Sequence, residues 1–150
     1  MHFSLLAMLL EDCPQKKTFA YFRGHISKGE LVQMTTSDKW IVAYSDPPVL
    51  IDCRMDQLKF VKPLFVQYLL AVENLVSRYN IFINYSNTLA KNVLLDVGDK
   101  VDVILEHQII PTAAVVRYKG DLPRKSGTFF GIEILVSSYN CVCMYFKLCK

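Results

Sequence analysis

Four glycines, at positions 98, 120, 127 and 131, divide residues 97 to 135 into short runs in which apolar and polar residues alternate. A period of two is that of a strand with one face buried. In the first run Val101, Val103 and Leu105 share one face, while Asp102 and Glu106 lie with Ile104 on the other. Ala114 to Tyr118 forms the second run, where the β-branched Val115 and Val116 suit a pleated, half-buried surface. Gly120 ends it, at a place where a positive φ carries no steric cost. In the third run Phe130, Ile132 and Ile134 make an apolar face, and Phe129, Gly131, Glu133 and Leu135 a mixed one. A strand glycine such as Gly131 marks a bulge, a close approach of backbone or ligand, or a barrel corner. The spacing predicts three strands of a small twisted barrel.

At 150 residues the chain makes one moderate domain or two small ones. A hydrophobic fraction of 52% against 21% charged residues argues against disorder, and 12% aromatic residues fits a β-rich fold. Residues 1 to 90 hold nine basic and eight acidic side chains, and the remainder eight and six, so neither half carries the field of a nucleic-acid binder. No nucleic-acid partner is expected. The five cysteines are an odd set without C-x-x-C spacing, which points to a reducing compartment and hence the cytoplasm. Cys141, Cys143 and Cys149 lack a fourth ligand or a nearby histidine, so neither metal nor cofactor is expected. Phe3 to Leu10 is apolar but has no basic leader or small-residue cleavage site, and Glu11 and Asp12 follow at once. It is expected to belong to the fold rather than to a secretory leader. No run reaches bilayer-spanning length, and no membrane partner is expected.

Toward the N-terminus, Phe3 to Leu10 reads as a short buried helix or strand, and Asp12 to Lys17 as a polar break. Lys28-Gly29 introduces a strand at Glu30 to Thr35, followed by strands at Trp40 to Tyr44, Val49 to Cys53 and Leu58 to Val61. Asp46-Pro47-Pro48 is a firm turn, since two prolines fix φ and withhold donors. From Pro63 to Arg78 the period changes. Leu64, Phe65, Tyr68, Leu69, Val72, Leu75, Val76 and Tyr79 recur at steps of three and four, predicting one amphipathic helix that begins at Pro63 and covers the barrel. Asn84 to Asn92, with Ser86, Asn87 and Thr88, reads as a linker.

Val97-Gly98-Asp99-Lys100-Val101, Val115-Val116-Arg117-Tyr118-Lys119-Gly120 and Gly127-Thr128-Phe129-Phe130-Gly131-Ile132-Glu133-Ile134 together resemble the first half of a CAP-Gly domain. With the Lys28-Gly29 strand, the helix near Phe65 to Tyr79 and Leu94-Leu95-Asp96-Val97-Gly98, the likeness extends over most of residues 3 to 135 to the amino-terminal region of the cylindromatosis family of cysteine deubiquitinases. The fold expected is mainly β with one covering helix (α+β). It comprises a small SH3-like barrel plus helix over residues 1–83, a linker over 84–93, an incomplete CAP-Gly SH3-like barrel over 94–135, and a divergent tail over 136–150. The family binds acidic, aromatic C-terminal tails of tubulin and end-binding proteins in a groove closed by a G-K-N-D-G loop. By that resemblance Phe129, Phe130 and Gly131 would line a peptide groove, and Arg117, Lys119, Arg124 and Lys125 would form its positive rim, which speeds encounter with an acidic tail. Phe129 as plain core and the cations as a solvated edge is the competing reading. No G-K-N-D-G segment occurs in the sequence, and Ala114 stands where the family commonly has glycine. The tail, Val136 to Phe146 and beyond, could lend a strand to the open barrel edge.

No catalytic residue is expected. The protease boxes of the deubiquitinase family have no counterpart here, so the chain is read as a non-enzyme. Cys53 has no histidine beside it in sequence, with His25 and His107 remote, and a lone buried cysteine is more often structural than nucleophilic. Asp96, Asp99 and Asp102 cluster around a turn whose solvation explains them. The expected activity is docking of acidic tails of microtubule-associated or ubiquitin-signalling partners, with a cytoplasmic, cytoskeleton-associated location. Two alternatives stand beside it: a truncated product of a deubiquitinase gene whose activity lies elsewhere, and a structural SH3-like domain without a groove.

Overall fold

Residues 5–16, 24–105 and 108–135, with the short strand Val142–Cys143, are described in the computed structural model. The chain forms two compact units, one of residues Met1–Pro63 with Asn74–Tyr79, the other of Leu64–Glu73 with Asn80–Lys150. Among the described residues the architecture is mostly β-sheet with three α-helices, an α+β arrangement.

The first unit contains β1 (Leu6–Leu9), β2 (Cys13–Pro14), β3 (His25–Ile26), β4 (Leu31–Met34), β5 (Trp40–Val42), β6 (Leu50–Ile51) and, after a 3-10 turn at Met55–Gln57, β7 (Leu58–Phe60). Five of these pair antiparallel in the order β6-β5-β4-β1-β7, and β2 pairs with β3. β1 lies between two neighbours, and Ala7, Met8 and Leu9 are all fully buried, which is why its sequence is an unbroken apolar run with no alternation to separate strand from helix. Around it Ala7, Leu9, Cys13, Val32, Trp40, Ile51 and Leu58 form the core. The polar break expected at Asp12 to Lys17 holds β2, whose Cys13 turns into that core.

Three consecutive residues fasten this sheet to the segment Asn74–Tyr79. Lys28 Nζ stands 5.1 Å from the centre of the Tyr79 ring. Gly29, at φ +87°, comes so close that an added Cβ would lie 2.3 Å from the Leu75 carbonyl oxygen. Glu30 Oε1 accepts both the Leu31 N–H at 3.1 Å and the buried Arg78 guanidinium at 3.1 Å.

The second unit is built from α1 (Pro63–Leu70), the later part of α2 (Leu75–Asn84), α3 (Ser86–Asn92), β8 (Lys100–Val103), β9 (Thr112–Gly120), β10 (Phe129–Ile134) and β11 (Val142–Cys143). Its four strands run antiparallel in the order β11-β10-β9-β8, so the tail does add a strand at the β10 edge. The alternation is realised as expected: Phe130, Ile132 and Ile134 are buried, and Val101, Val103 and Leu105 pack against Ala114, Ile132 and Ile134.

Three features differ from expectation. The single helix over 63–78 is two, because Asn74 caps a new start: its side-chain oxygen accepts the Ser77 N–H at 2.9 Å and its carbonyl the Arg78 N–H at 2.9 Å. Apolar periodicity runs on through the break and cannot reveal it. The stretch expected as a linker at 84–93 holds α3, whose Leu89 is fully buried, an anchor that outweighs its polar composition. Among the described residues no ladder joins β6 to β7 or β11 to β8, so neither sheet closes into a barrel.

Candidate functional site

The β9–β10 hairpin positions the residues singled out in sequence. Phe129 pairs with Gly120, Phe130 with Lys119 and Gly131 with Tyr118, after which the register slips by one and Ile132 faces Val116. The slip leaves Arg117 as the extra residue of a β-bulge, the device suspected from Gly131. Cross-strand partners share a face, so Phe129, Gly131, Tyr118 and Gly120 lie on one side and Phe130, Lys119 and Ile132 on the other.

On the first side Tyr118 is the organising residue. A Cβ on Gly131 would sit 2.9 Å from the Tyr118 Cβ, and one on Gly120 would sit 2.8 Å from its hydroxyl oxygen. The two glycines thus make room for one aromatic ring, which stays 41% exposed while its hydroxyl donates to the Asp121 carbonyl. Half-buried Phe129 lies beside it in the ladder. Arg117 donates to Glu133 across the bulge. Tyr118 is not among the site residues that the sequence marks. The signal was an aromatic flanked by glycines on both the same and the facing strand, a pairing in which the ring covers bare backbone.

The opposite side is internal to the unit. Phe130 is buried and stacks on Tyr68 of α1, with ring centres 5.9 Å apart and an interplanar angle of 22°. Lys119 Nζ lies 5.8 Å from the Phe130 ring centre and 6.0 Å from that of Tyr68, and donates to the Val93 carbonyl and the Asp96 carboxylate at 3.3 Å each. Burial works against this ammonium, but Tyr68 and Asp96 outweigh it and leave its pKa above the ordinary lysine value. Phe130 and Lys119 therefore hold the hairpin to α1, whereas Phe129 and Gly131 belong to the outer face.

The connection between β9 and β10 supplies the other cations. Lys125 donates to Glu73, and Arg124 sits exposed at φ 62° with no ion-pair partner among the described residues. Three of the four expected rim cations thus already face a carboxylate: Arg117 on Glu133, Lys119 on Asp96, Lys125 on Glu73. The more exposed pairs, Arg117–Glu133 and Lys125–Glu73, are worth about 0–1 kcal/mol, so an incoming acid can displace them at little cost, whereas Lys119 is held on the inner side. Gly127, at φ +103°, seats the loop against α1. A Cβ there would lie 2.4 Å from both Ala71 N and Gln67 O, and the next residue, Thr128, donates its N–H to Gln67 O at 2.9 Å.

Groups considered for chemistry in the sequence are elsewhere. Asp96 and Asp99 close a turn, with the Asp96 N–H donating to Asp99 Oδ2 at 2.9 Å and the Asp99 N–H to Asp96 O at 3.1 Å. Burial, with Cys13 and Asp52 nearby, pushes the Cys53 thiol up to about 11, away from nucleophilic character at neutral pH. Among the described residues no group of three or more His, Cys, Asp and Glu could hold a metal ion, and no helix is long and apolar enough to cross a membrane. His107, Cys141, Cys149 and the Cys143 side chain lie outside the described residues. No protein-family model, curated protein or solved structure matches this chain.

Proposed function

We propose that this chain is a non-catalytic protein-interaction module, similar to the CAP-Gly region of the cylindromatosis deubiquitinases, that docks acidic C-terminal tails of microtubule-associated or ubiquitin-signalling partners in the cytoplasm. The observation that carries the reading is the outer face of β9–β10, where Tyr118 and Phe129 offer aromatic surface over Gly120 and Gly131 beside Arg117. The two glycines seat the Tyr118 ring flat on the strand, and that ring with half-buried Phe129 gives the peptide's terminal aromatic something to pack on. Arg124 adds a cation with no ion-pair partner among the described residues.

Titration of the full chain with an acidic peptide ending in an aromatic residue tests this, with microtubule pelleting in parallel. Phe129→Ala is expected to weaken binding about tenfold or more, the loss of roughly 1.4 kcal/mol that a truncated aromatic contact carries. Equal binding by wild type and variant would remove the groove. A purely structural domain is the second reading, favoured by the internal pairing of Arg117, Lys119 and Lys125 and by burial of Phe130. It predicts no saturable binding of either protein. A ubiquitin-chain cleavage assay should give no turnover.

A further inference from the structure

Cys13 and Cys53 are forty positions apart in sequence and come together in one apolar cluster. Gln15 forms an antiparallel bridge with Ile51, flanked by Lys16 N–H donating to Leu50 O at 2.9 Å and Asp52 N–H donating to Pro14 O at 3.1 Å. Those two bonds fix the type of each pair. Gln15 and Ile51 are a non-hydrogen-bonded pair, and Pro14 and Asp52 are a hydrogen-bonded pair reduced to one bond because proline has no N–H. Carried one step further, the same register sets Cys13 opposite Cys53, again at a non-hydrogen-bonded position. Such positions bring facing Cα atoms to about 4.5 Å with both side chains on one face. A disulfide spans Cα separations of about 4.4–6.8 Å. Both thiols also belong to one apolar cluster, Cys13 as a fully buried member and Cys53 as a half-buried residue packed against it.

We propose that Cys13 and Cys53 form a reversible cross-strand disulfide, a modification site that ties β2 to the strand end after β6 when the chain meets a disulfide oxidant such as glutathione disulfide. The accessible sulfur reacts first. The Cys53 thiolate attacks one sulfur of glutathione disulfide, forming a mixed disulfide and releasing a glutathione thiolate. The Cys13 thiolate then attacks the Cys53 sulfur, forming the protein disulfide and releasing the second glutathione. The two electrons lost by the protein reduce one glutathione disulfide to two thiols, which take the two cysteine protons. No free water or metal is needed. Burial raises both thiols, Cys53 to about 11, so the reaction is slow at neutral pH and its rate climbs about tenfold per pH unit below that value. The site is consequently a response to sustained oxidation and stays reduced in an ordinary reducing cytoplasm.

The test oxidises the full chain with glutathione disulfide at pH 7 and pH 9, blocks remaining thiols, digests without reductant and maps the linked peptides by mass. The expected result is a linked Cys13–Cys53 peptide that forms faster at pH 9, vanishes on adding dithiothreitol, and persists when Cys141, Cys143 and Cys149 are all changed to serine. The oxidised chain should also show a raised urea midpoint, with the rise absent in Cys53→Ala. Since that variant removes a half-buried side chain, Cys53→Val, which keeps apolar volume, is run beside it. Recovery of Cys13 and Cys53 as separate blocked or glutathionylated peptides, in the presence or absence of the other three cysteines, would overturn the proposal.

Discussion

Gly98 and Gly127 share a left-handed backbone, at φ +98° and +103°, but differ in what surrounds them: nothing lies within 4 Å of a Cβ at Gly98, whereas one at Gly127 would strike the backbone of α1. Alanine at Gly98 should therefore cost only the conformational term, roughly 1–2 kcal/mol. At Gly127 the same change adds a steric clash with atoms that cannot rotate away, and at least about twice that loss is expected in urea unfolding. Removing the Glu30 carboxylate by Glu30→Ala takes one partner from a guanidinium that is only 8% exposed. Because Arg78 keeps further interactions and Glu30 retains 26% of its side-chain exposure, the expected loss is that of a charged hydrogen bond, about 1.5–3 kcal/mol in urea unfolding. The Cys53 thiol titrates near 11 in the folded chain against 9.0 for an ordinary cysteine, because of burial first and the neighbouring Cys13 and Asp52 second. The native state thus keeps a proton that the unfolded chain releases, and stability contributed by this group declines as pH rises from about 9 to about 11. Cys53→Ala should flatten that part of a stability profile measured from pH 8 to pH 11.

Elements were legible where period and punctuation agree. β4, β5, β7 and β10 lie where alternation put them, and the face of β10 carrying Phe130, Ile132 and Ile134 is the buried one. The register beyond Gly131 was not legible, because it depends on a bulge whose extra residue, Arg117, no local pattern in β9 announces. Helix boundaries failed for a different reason. The apolar stripe from Leu64 to Tyr79 continues across residues that are not helical, and the information that breaks it sits in one polar side chain, Asn74. Asn74→Ala should cost about 1 kcal/mol through loss of that cap, whereas Asn74→Asp, which retains the acceptor, should cost little. Amide exchange in α2 is the readout: the N–H of Ser77 should lose protection in the alanine variant. The α3 segment reads as a linker because its anchoring residue, Leu89, is a single buried side chain among polar neighbours.

At the scale of the molecule, the two units are interleaved along the chain. Residues Leu64–Glu73 belong with Asn80–Lys150, yet Asn74–Tyr79, which lies between them, belongs with Met1–Pro63. A fragment of residues 1–63 lacks Leu75, Arg78 and Tyr79, the residues that Gly29, Glu30 and Lys28 meet. It should unfold at a lower urea concentration than a fragment of residues 1–84, although only the latter carries helical residues foreign to its sheet. The boundary is thus crossed three times within some seventeen residues, and no single cut returns both halves whole. Any exchange of one half between related chains has to carry that short helical stretch with it, or the incoming sheet arrives without its clasp.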